Sequence, residues 1–195
     1  MYKRQLRESA LEVERLRAEL EVAQGLAQRD PITALLNRRG FDQQLIRLNR
    51  DGLPGCCLLM LDIDNFKAIN DSHGHLLGDK VIITVANVLR GCVGERGSIA
   101  RVGGDEFAVL LAQAELPDAS ALAEHVRASV SRGALRRMDT DEIIGGVSVS
   151  IGVAARNQGE PLDAFIARAD RALYDSKARG RNCVTAAQAD AKDLS

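Results

Sequence analysis

The sequence predicts an α/β fold of the α+β type, in which helices cover an antiparallel-rich central sheet. A continuous apolar run at residues 56–63 is typical of a buried strand, and residues 98–111 have the pattern of a hairpin with a glycine-rich tip. Apolar residues alternate from 146 to 154, which indicates a further strand. Because helical segments separate these strands, the compact solution is a sheet with helices packed on its faces.

The predicted elements follow in the order βααββαβα. Asp30 and Pro31 break a preceding helix, and a helical pattern resumes at residues 33–45. The later pattern predicts a strand at 56–63, two helical stretches within 65–89 separated at 72–75, strands at 98–102 and 107–111, a helix at 119–135, a strand at 146–154 and a closing helix at 162–178. This order resembles a ferredoxin-like or polymerase-palm arrangement.

The segment before Asp30 carries a heptad pattern. Its apolar positions are Leu6, Val13, Leu20 and Ala27, with Leu16 and Ala23 between them. The spacing indicates a coiled-coil seam, or a signalling helix that continues from an upstream sensory domain; the alternative is a solvated helix packed on its own domain. We therefore divide the chain into an N-terminal helix at 1–28, a folded domain at 29–186 and a flexible tail at 187–195.

Composition narrows the class of protein. The 26 basic and 27 acidic residues give a net charge of −1, which offers no electrostatic basis for binding nucleic acid or an anionic membrane. The four cysteines lack CxxC spacing and two lie in the apolar strand, which predicts a reduced, cytoplasmic compartment. No apolar stretch reaches the roughly 18 residues of a membrane span. The glycine patterns of P-loop and Rossmann nucleotide sites do not occur.

Two acidic pairs mark the candidate site. Asp62 and Asp64 end the apolar strand, where a carboxylate emerges from the core at a fixed position; the alternative is that Asp64 or Asn65 caps the next helix. Asp105 and Glu106 occupy the hairpin tip, where an ordinary glycine-rich turn is the alternative. Adjacent acids repel each other, and a divalent cation offsets that repulsion. If the hairpin pairs beside the first strand, Asp62 and Asp105 can meet around magnesium and a triphosphate.

Several motifs resemble one known family. Residues 101–107 contain the GGDEF signature of diguanylate cyclase domains, and residues 62–71, continued by 74–79, resemble the family's second motif. Residues 30–39 resemble its opening motif, with Ile32 where leucine is commoner. The resemblance covers residue 30 to about residue 184 and implies a nucleotidyl-cyclase palm that condenses two GTP into cyclic di-GMP and pyrophosphate.

The resemblance also implies a metal site. By that resemblance, Asp62, the main-chain carbonyl of Ile63, and Asp105 ligate Mg²⁺, for which Mn²⁺ can substitute. Glu106 is a further ligand or helps to deprotonate the attacking 3′-hydroxyl, and the base stays unassigned between Asp105 and Glu106. Lys67 corresponds to a phosphate or transition-state contact.

The remaining implied positions bind the nucleotide. Asn70 and Asp79 correspond to the guanine contacts, and a carboxylate that accepts from two guanine donors favours GTP over ATP. The substrate set implied by the resemblance is Phe66, Asn70, His75, Asp79, Gly103, Gly104, Lys177 and Arg181. Asp79 could instead cap a helix beginning at Lys80, and the basic pair could interact with a helix dipole. His73 and His125 are interpreted as ordinary surface or structural histidines.

Regulation and assembly follow from the same comparison of motifs. Many relatives carry Arg-x-x-Asp before the signature, whereas residues 94–97 here are Gly-Glu-Arg-Gly, so we expect no primary inhibitory site and weak product inhibition through it. One GTP per domain implies catalysis in a homodimer, with the N-terminal helix setting the pairing. The alternatives are a catalytically silent module that binds GTP or cyclic di-GMP, and a signalling coiled coil whose folded end only dimerises.

Overall fold

The structure is a computed structural model that describes residues 27–51, 55–136 and 143–187, together with helical residues at 12, 14–16 and 25. Most positions of the predicted coiled-coil seam, and the tail from residue 188, lie outside the described residues. Among the helices that are described, none is both long enough and apolar enough to cross a membrane.

Eight strands and five α-helices occur in the described ranges. The strands are β1 (Leu36–Asn37), β2 (Cys56–Ile63), β3 (Gly97–Arg101), β4 (Glu106–Ala112), β5 (Ala134–Arg136), β6 (Ile143–Gly146), β7 (Val149–Ala155) and β8 (Val184–Ala186). The helices are α1 (Arg38–Asp51), α2 (Phe66–His73), α3 (His75–Val93), α4 (Leu116–Arg132) and α5 (Leu162–Ala178), with a 3-10 turn at Gly94–Arg96.

Six strands form one mixed sheet in the order β1-β3-β4-β2-β7-β8. The central strand β2 pairs antiparallel with β4 on one side and with β7 on the other. The two edge pairings, β1 with β3 and β7 with β8, are parallel. The predicted antiparallel-rich sheet with surrounding helices is therefore confirmed, and the parallel edges are an addition to it.

Strand β2 lies between two apolar cores. All eight of its residues are buried, and their side chains alternate between the faces of the sheet. Cys57, Leu59 and Leu61 pack in the core beneath α3 and α4. Cys56, Leu58 and Met60 pack in the other core, under α1 and α5. Because Asp62 continues the second series, its side chain lies on the α1 and α5 face of the sheet.

The first helix begins later than the sequence pattern predicted. Helical periodicity suggested residues 33–45, whereas α1 begins at Arg38. Asn37 caps it, because its Oδ1 accepts a hydrogen bond from the Gly40 backbone N–H at 2.9 Å. The preceding residues instead form a turn, in which Asp30 Oδ1 accepts from the Thr33 N–H at 2.8 Å, followed by the short strand β1.

The predicted helix at 119–135 was displaced in the opposite direction, toward the N-terminus. Helix α4 begins at Leu116, with proline in its first turn, and ends at Arg132. Leu135 lies in β5, opposite Gly145, so its assignment to the helix was wrong. Gly133 follows the helix with an extended backbone, which ends the helical conformation there. The small β5-β6 hairpin and the edge strand β8 were not predicted.

Gly152 fixes the distance between the sheet and α5. A Cβ added there would lie 2.8 Å from the Ala172 carbonyl carbon and closer still to backbone atoms of Ala169 and Leu173. No side-chain rotation can relieve a clash with backbone. We expect Gly152→Ala to destabilise the fold by about 1–3 kcal/mol, the usual range for overpacking, as measured by urea unfolding.

Gly91 supplies a matched control for this substitution. It lies in α3, and an added Cβ there would have no atom within 4 Å. Gly91→Ala should leave stability unchanged or raise it by up to about 1 kcal/mol through helix propensity. Equal stability of Gly152→Ala and the unmodified protein would contradict the close approach.

Candidate active site

Asp62 emerges from the centre of the sheet. It pairs in register with Glu106 of β4 on one side and with Ser150 of β7 on the other. Its side chain is only 11% exposed. Residues directly opposite in an antiparallel pair project to the same face, so the Glu106 side chain emerges beside Asp62. The two acids are thus held on a buried, rigid framework.

The hairpin tip closes over the end of β2. The Ile63 N–H donates to the Asp105 carbonyl oxygen at 3.2 Å, and the Val102 N–H donates to that of Glu106 at 2.9 Å. An added Cβ at Gly103 would lie 3.1 Å from Glu106 Cβ, so glycine leaves the room that the glutamate occupies. We expected Asp105 to meet Asp62 across the strands; Glu106 is the residue in register, and Asp105 lies one step beyond.

Lys177 completes this acidic cluster. It lies in the last turn of α5, and its Nζ is 2.7 Å from Asp62 Oδ2. Burial raises the pKa of the Asp62 carboxyl, Lys177 lowers it in part, and the charges of Asp105 and Glu106 raise it further. The net direction is upward, as expected for a carboxylate that is withdrawn from water beside two other acids.

A cleft of about 290 Å³ opens beside this cluster between α1 and α5. Glu106 and Lys177 line it, together with Arg38 and Asp170. Burial raises the pKa of Asp170, Glu106 raises it further, and Arg38 opposes both. A larger cavity of about 610 Å³ lies beside α4 and contains none of the predicted catalytic, metal or substrate residues.

Arg101 and Asp30 brace the hairpin tip. The Arg101 guanidinium donates to the Gly104 carbonyl oxygen at 2.7 Å and to Asp30 Oδ2 at 3.1 Å. Burial tends to raise the Asp30 pKa, but hydrogen bonds from Thr33 and the charge of Arg101 bring it below its usual value. Neither side chain was among the site residues predicted from the sequence, although both belong to the motifs that carry the family resemblance.

Asp64 is an anchor of the fold. Its two carboxylate oxygens accept 2.6 Å hydrogen bonds from the hydroxyls of Ser148 and Ser150, and Oδ2 also accepts from the Asn182 N–H at 3.0 Å. Asp64 is not a helix cap, and Asn65 occupies the N-cap position of α2 without using its side chain. Asn65 precedes α2 with a left-handed backbone, φ 55°, and makes no side-chain capping bond.

Asn70 and its neighbours form a small polar recess between α2 and α3. The buried Asn70 Oδ1 has no hydrogen-bond partner within the described residues. An added Cβ at Gly78 would lie 3.0 Å from Asn70 Cγ and 3.2 Å from Phe66 Cζ, so glycine is what leaves room for both side chains. Asp79 follows within α3, which begins at His75, so its interpretation as a helix cap is also wrong.

The other predicted substrate residues are exposed. Lys67 lies in the first turn of α2, His75 begins α3, and Arg181 follows α5 with a left-handed backbone, φ 66°. The structure shows no contact among these three side chains in the residues it describes. His73 and His125 are exposed as well, in agreement with their interpretation as surface residues.

The donor chemistry of the cluster fits a magnesium ion that binds with its nucleotide. Within residues 55–136 and the other described ranges, no three acidic, histidine or cysteine side chains stand close enough to enclose an ion. Magnesium does not need such a cage, because it is usually held by one or two carboxylates together with substrate phosphates and waters. Carboxylates, backbone carbonyls and an adjacent cleft meet that requirement.

Comparison with known proteins identifies the family. A family model described as diguanylate cyclase, GGDEF domain, matches residues 27–183. The chain belongs to the GGDEF domain family. The crystal structure of the coiled coil and GGDEF domain of DgcB from Caulobacter crescentus, in complex with c-di-GMP, has a TM-score of 0.84 and 40% identity, and the match covers 95% of this chain and 98% of that one.

Two of the curated relatives that the chain matches are named diguanylate cyclases. Diguanylate cyclase VdcA from Vibrio cholerae is 37% identical over 92% of this chain and 53% of its own length. Diguanylate cyclase DgcM from Escherichia coli K12 is 38% identical over 90% of this chain and 42% of its own length. The chain thus spans about half or less of the length of these relatives.

Removal of the Asp30 charge tests the brace on the hairpin tip. A lowered folded-state pKa means that ionised Asp30 stabilises the fold above its unfolded-state pKa of about 3.8 and loses that contribution as pH falls through the folded value. We expect Asp30→Asn to destabilise the fold by about 1–3 kcal/mol at neutral pH, with the difference from the unmodified protein shrinking below about pH 4, by urea unfolding. A difference that is constant across pH would contradict this account.

Proposed function

We propose that this domain is a diguanylate cyclase that condenses two GTP into cyclic di-GMP and two pyrophosphates. The observation that carries the proposal is the position of Asp62, in register with Glu106 and one residue before Ile63, whose N–H donates to the Asp105 carbonyl oxygen. Glu106 and Lys177, the two partners of Asp62, line the adjacent cleft. This places the acids of the GGDEF signature and the strand-end acid at one point. Curated relatives with 37% and 38% identity are named as diguanylate cyclases, which supports the same activity.

The reaction has two equivalent steps. In each, the 3′-hydroxyl oxygen of one GTP forms a bond to the α-phosphorus of the other, and the bond from that phosphorus to the bridging oxygen breaks to release pyrophosphate. The hydroxyl proton passes to a carboxylate of the cluster, Asp105 or Glu106, acting as general base. A bound Mg²⁺ would supply electrophilic stabilisation of the phosphate charge, held by Asp62, the Ile63 carbonyl, Asp105 and Glu106.

The recess between α2 and α3 supports a preference for guanine. The Asn70 Oδ1 acceptor is buried and has no partner in the described part of the chain, so a donor from the base would satisfy an otherwise unpaired group. Asp79 in α3 offers a carboxylate for the N1–H and exocyclic amine of guanine, a donor pair that adenine lacks. Phe66 and His75 border the same helix junction, and Lys67, Lys177 and Arg181 provide positive charge for the triphosphate.

The proposal includes a homodimer. Each domain offers one nucleotide site, and each 3′-hydroxyl must reach the phosphorus of the other nucleotide, so proximity in a face-to-face pair supplies much of the rate. The N-terminal helix is proposed to set this pairing under an upstream sensory domain, within the cytoplasm. Weak product inhibition, expected because residues 94–97 lack Arg-x-x-Asp, stays a prediction of the sequence.

Asp105→Asn tests the cyclase directly. Incubation of the full chain with GTP and Mg²⁺, followed by chromatography, should yield cyclic di-GMP and two equivalents of pyrophosphate. Loss of the carboxylate should lower the rate about 10²-fold or more, whether the group is a ligand or a base. The matched control is Asp118→Asn in the first turn of α4, an exposed acid outside the cluster, which should retain activity.

The rate should also fall more steeply than protein concentration on dilution, because only the dimer is active. GTP binding without product at any protein concentration would favour the silent module instead. Dimerisation without any nucleotide binding would favour the signalling coiled coil.

Gly78→Ala tests the proposed guanine recess. The new Cβ would displace the Asn70 amide, so we expect roughly tenfold weaker GTP binding, the size of one lost hydrogen bond, with little change in unfolding free energy. Equilibrium binding of GTP in the absence of turnover is the measurement. Gly91→Ala in the same helix, where an added Cβ has no atom within 4 Å, is the control and should bind normally. Unchanged binding by both variants would remove Asn70 from the proposal.

A further inference from the structure

Lys177 already holds a carboxylate that the proposed function assigns to the metal. Its Nζ lies 2.7 Å from Asp62 Oδ2, whereas a magnesium ion sits about 2.0–2.1 Å from a carboxylate oxygen. Asp62 lies beside Asp105 and Glu106, and the charges of both oppose its ionisation. The lysine therefore supplies the positive charge that this buried acid requires.

The backbone at Lys177 is fixed while its side chain can move. The adjacent Ser176 is fully buried and donates to the Ile151 carbonyl oxygen at 2.8 Å, which ties the end of α5 to β7. The Lys177 side chain, in contrast, is 35% exposed and lines the cleft beside Glu106. A long, half-exposed ammonium on a fixed helix end can exchange one anionic partner for another without any movement of the fold.

We infer that Lys177 is a positioning residue that occupies Asp62 until nucleotide arrives, so that divalent metal and triphosphate bind cooperatively. Metal alone must displace the ammonium from Asp62 or bind beside a like charge, and either costs free energy. A triphosphate offers Lys177 a new anionic partner, which removes that cost. The inference rests on the proposed function, because it concerns the same acids and the same triphosphate.

The consequence is a defined thermodynamic coupling. Metal binds weakly to the nucleotide-free domain and tightly once phosphates engage Lys177, and by linkage the metal raises nucleotide affinity by the same factor. In the absence of nucleotide, the Lys177–Asp62 ion pair therefore keeps metal ions from binding tightly at Asp62. The domain instead takes up metal and triphosphate together, with the Asp62 charge compensated in both states.

Binding of Mn²⁺ to the full chain without nucleotide tests the inference, with free Mn²⁺ followed by electron paramagnetic resonance. Lys177→Met keeps the length of the side chain and removes its charge, so it should bind Mn²⁺ about fivefold or more tighter than the unmodified protein, within the range of typical site couplings. Lys177→Arg retains the charge, so its Mn²⁺ binding should stay as weak as that of the unmodified protein. Asp62→Asn should lose the binding and thereby identify the site.

Lys67→Met is the matched control for a general change in charge. Lys67 follows the same strand end and carries the same charge, but in the described part of the chain the ion pair of Asp62 is with Lys177. Loss of Lys67 should therefore change Mn²⁺ affinity by far less than loss of Lys177. A second titration adds a GTP analogue with an uncleavable α,β-methylene bridge, equimolar with protein and corrected by a protein-free blank. The analogue should tighten Mn²⁺ binding strongly in the unmodified protein and much less in Lys177→Met.

The outcomes separate this inference from the proposed function. If Lys177→Met binds Mn²⁺ no tighter than the unmodified protein, or if no variant binds Mn²⁺ without nucleotide, the competition is refuted, whether or not cyclic di-GMP is made. If Lys67→Met raised Mn²⁺ affinity as much as Lys177→Met, the effect would be one of general charge, and the inferred competition at Asp62 would be refuted as well. Absence of cyclic di-GMP synthesis alongside the expected Mn²⁺ pattern would reject the cyclase and leave the exchange at Asp62 intact.

Discussion

The need to compensate a carboxylate at the end of a fully buried strand governs this site. Strand β2 is the only one of the six sheet strands with all its residues buried in the described part of the chain, and Asp62 lies at its carboxyl end between Glu106 and Ser150. Burial of an ionised group without a partner is among the costliest events in folding. Lys177 offsets that cost through its ion pair with Asp62, and under the proposed function a metal ion would offset it in the nucleotide complex.

The surrounding structure keeps these partners in place. Gly152 brings α5 close to β7, and Ser176 ties the end of that helix to the same strand, so Lys177 begins from a fixed point. Arg101 links the hairpin tip to Asp30, which in turn holds the turn before α1. Residues far apart in the chain thereby hold in place the elements from which the carboxylates of the site project.

The sequence predicted the parts of the fold that local pattern determines. The strand at 56–63 and the helix at 162–178 match β2 and α5 because a continuous apolar run and a long amphipathic period leave little ambiguity. The edge strands β1 and β8 were missed, since two or three residues that pair only with distant strands carry no periodicity of their own. The end of α4 was misplaced because Leu135 fits the helical period but pairs with Gly145.

The site, like the fold, combines features that local sequence predicts with features that depend on pairing between distant segments. Signature residues placed Asp62, Asp105 and Glu106 in one cluster, but the register that puts Glu106 opposite Asp62 depends on pairing between strands separated by more than forty residues. Asp64 shows most clearly what the sequence could not predict. Its position two residues after Asp62 suggested a role in the site or as a helix cap, but its hydrogen-bond partners, Ser148, Ser150 and Asn182, are distant in sequence. Such contacts between distant residues depend on how the strands are ordered in the sheet, which local sequence patterns do not reveal.

The two halves of the proposed nucleotide site differ in how deeply they are buried. The acids stand on the central sheet, where backbone pairing on both sides of β2 fixes them. The base recess depends on α2, which has no buried residue and no side-chain cap, and which holds an amide oxygen with no partner in the described residues. A guanine that donates to Asn70 would engage the less buried half of the site, and binding energy from the base would then position the phosphates over Asp62.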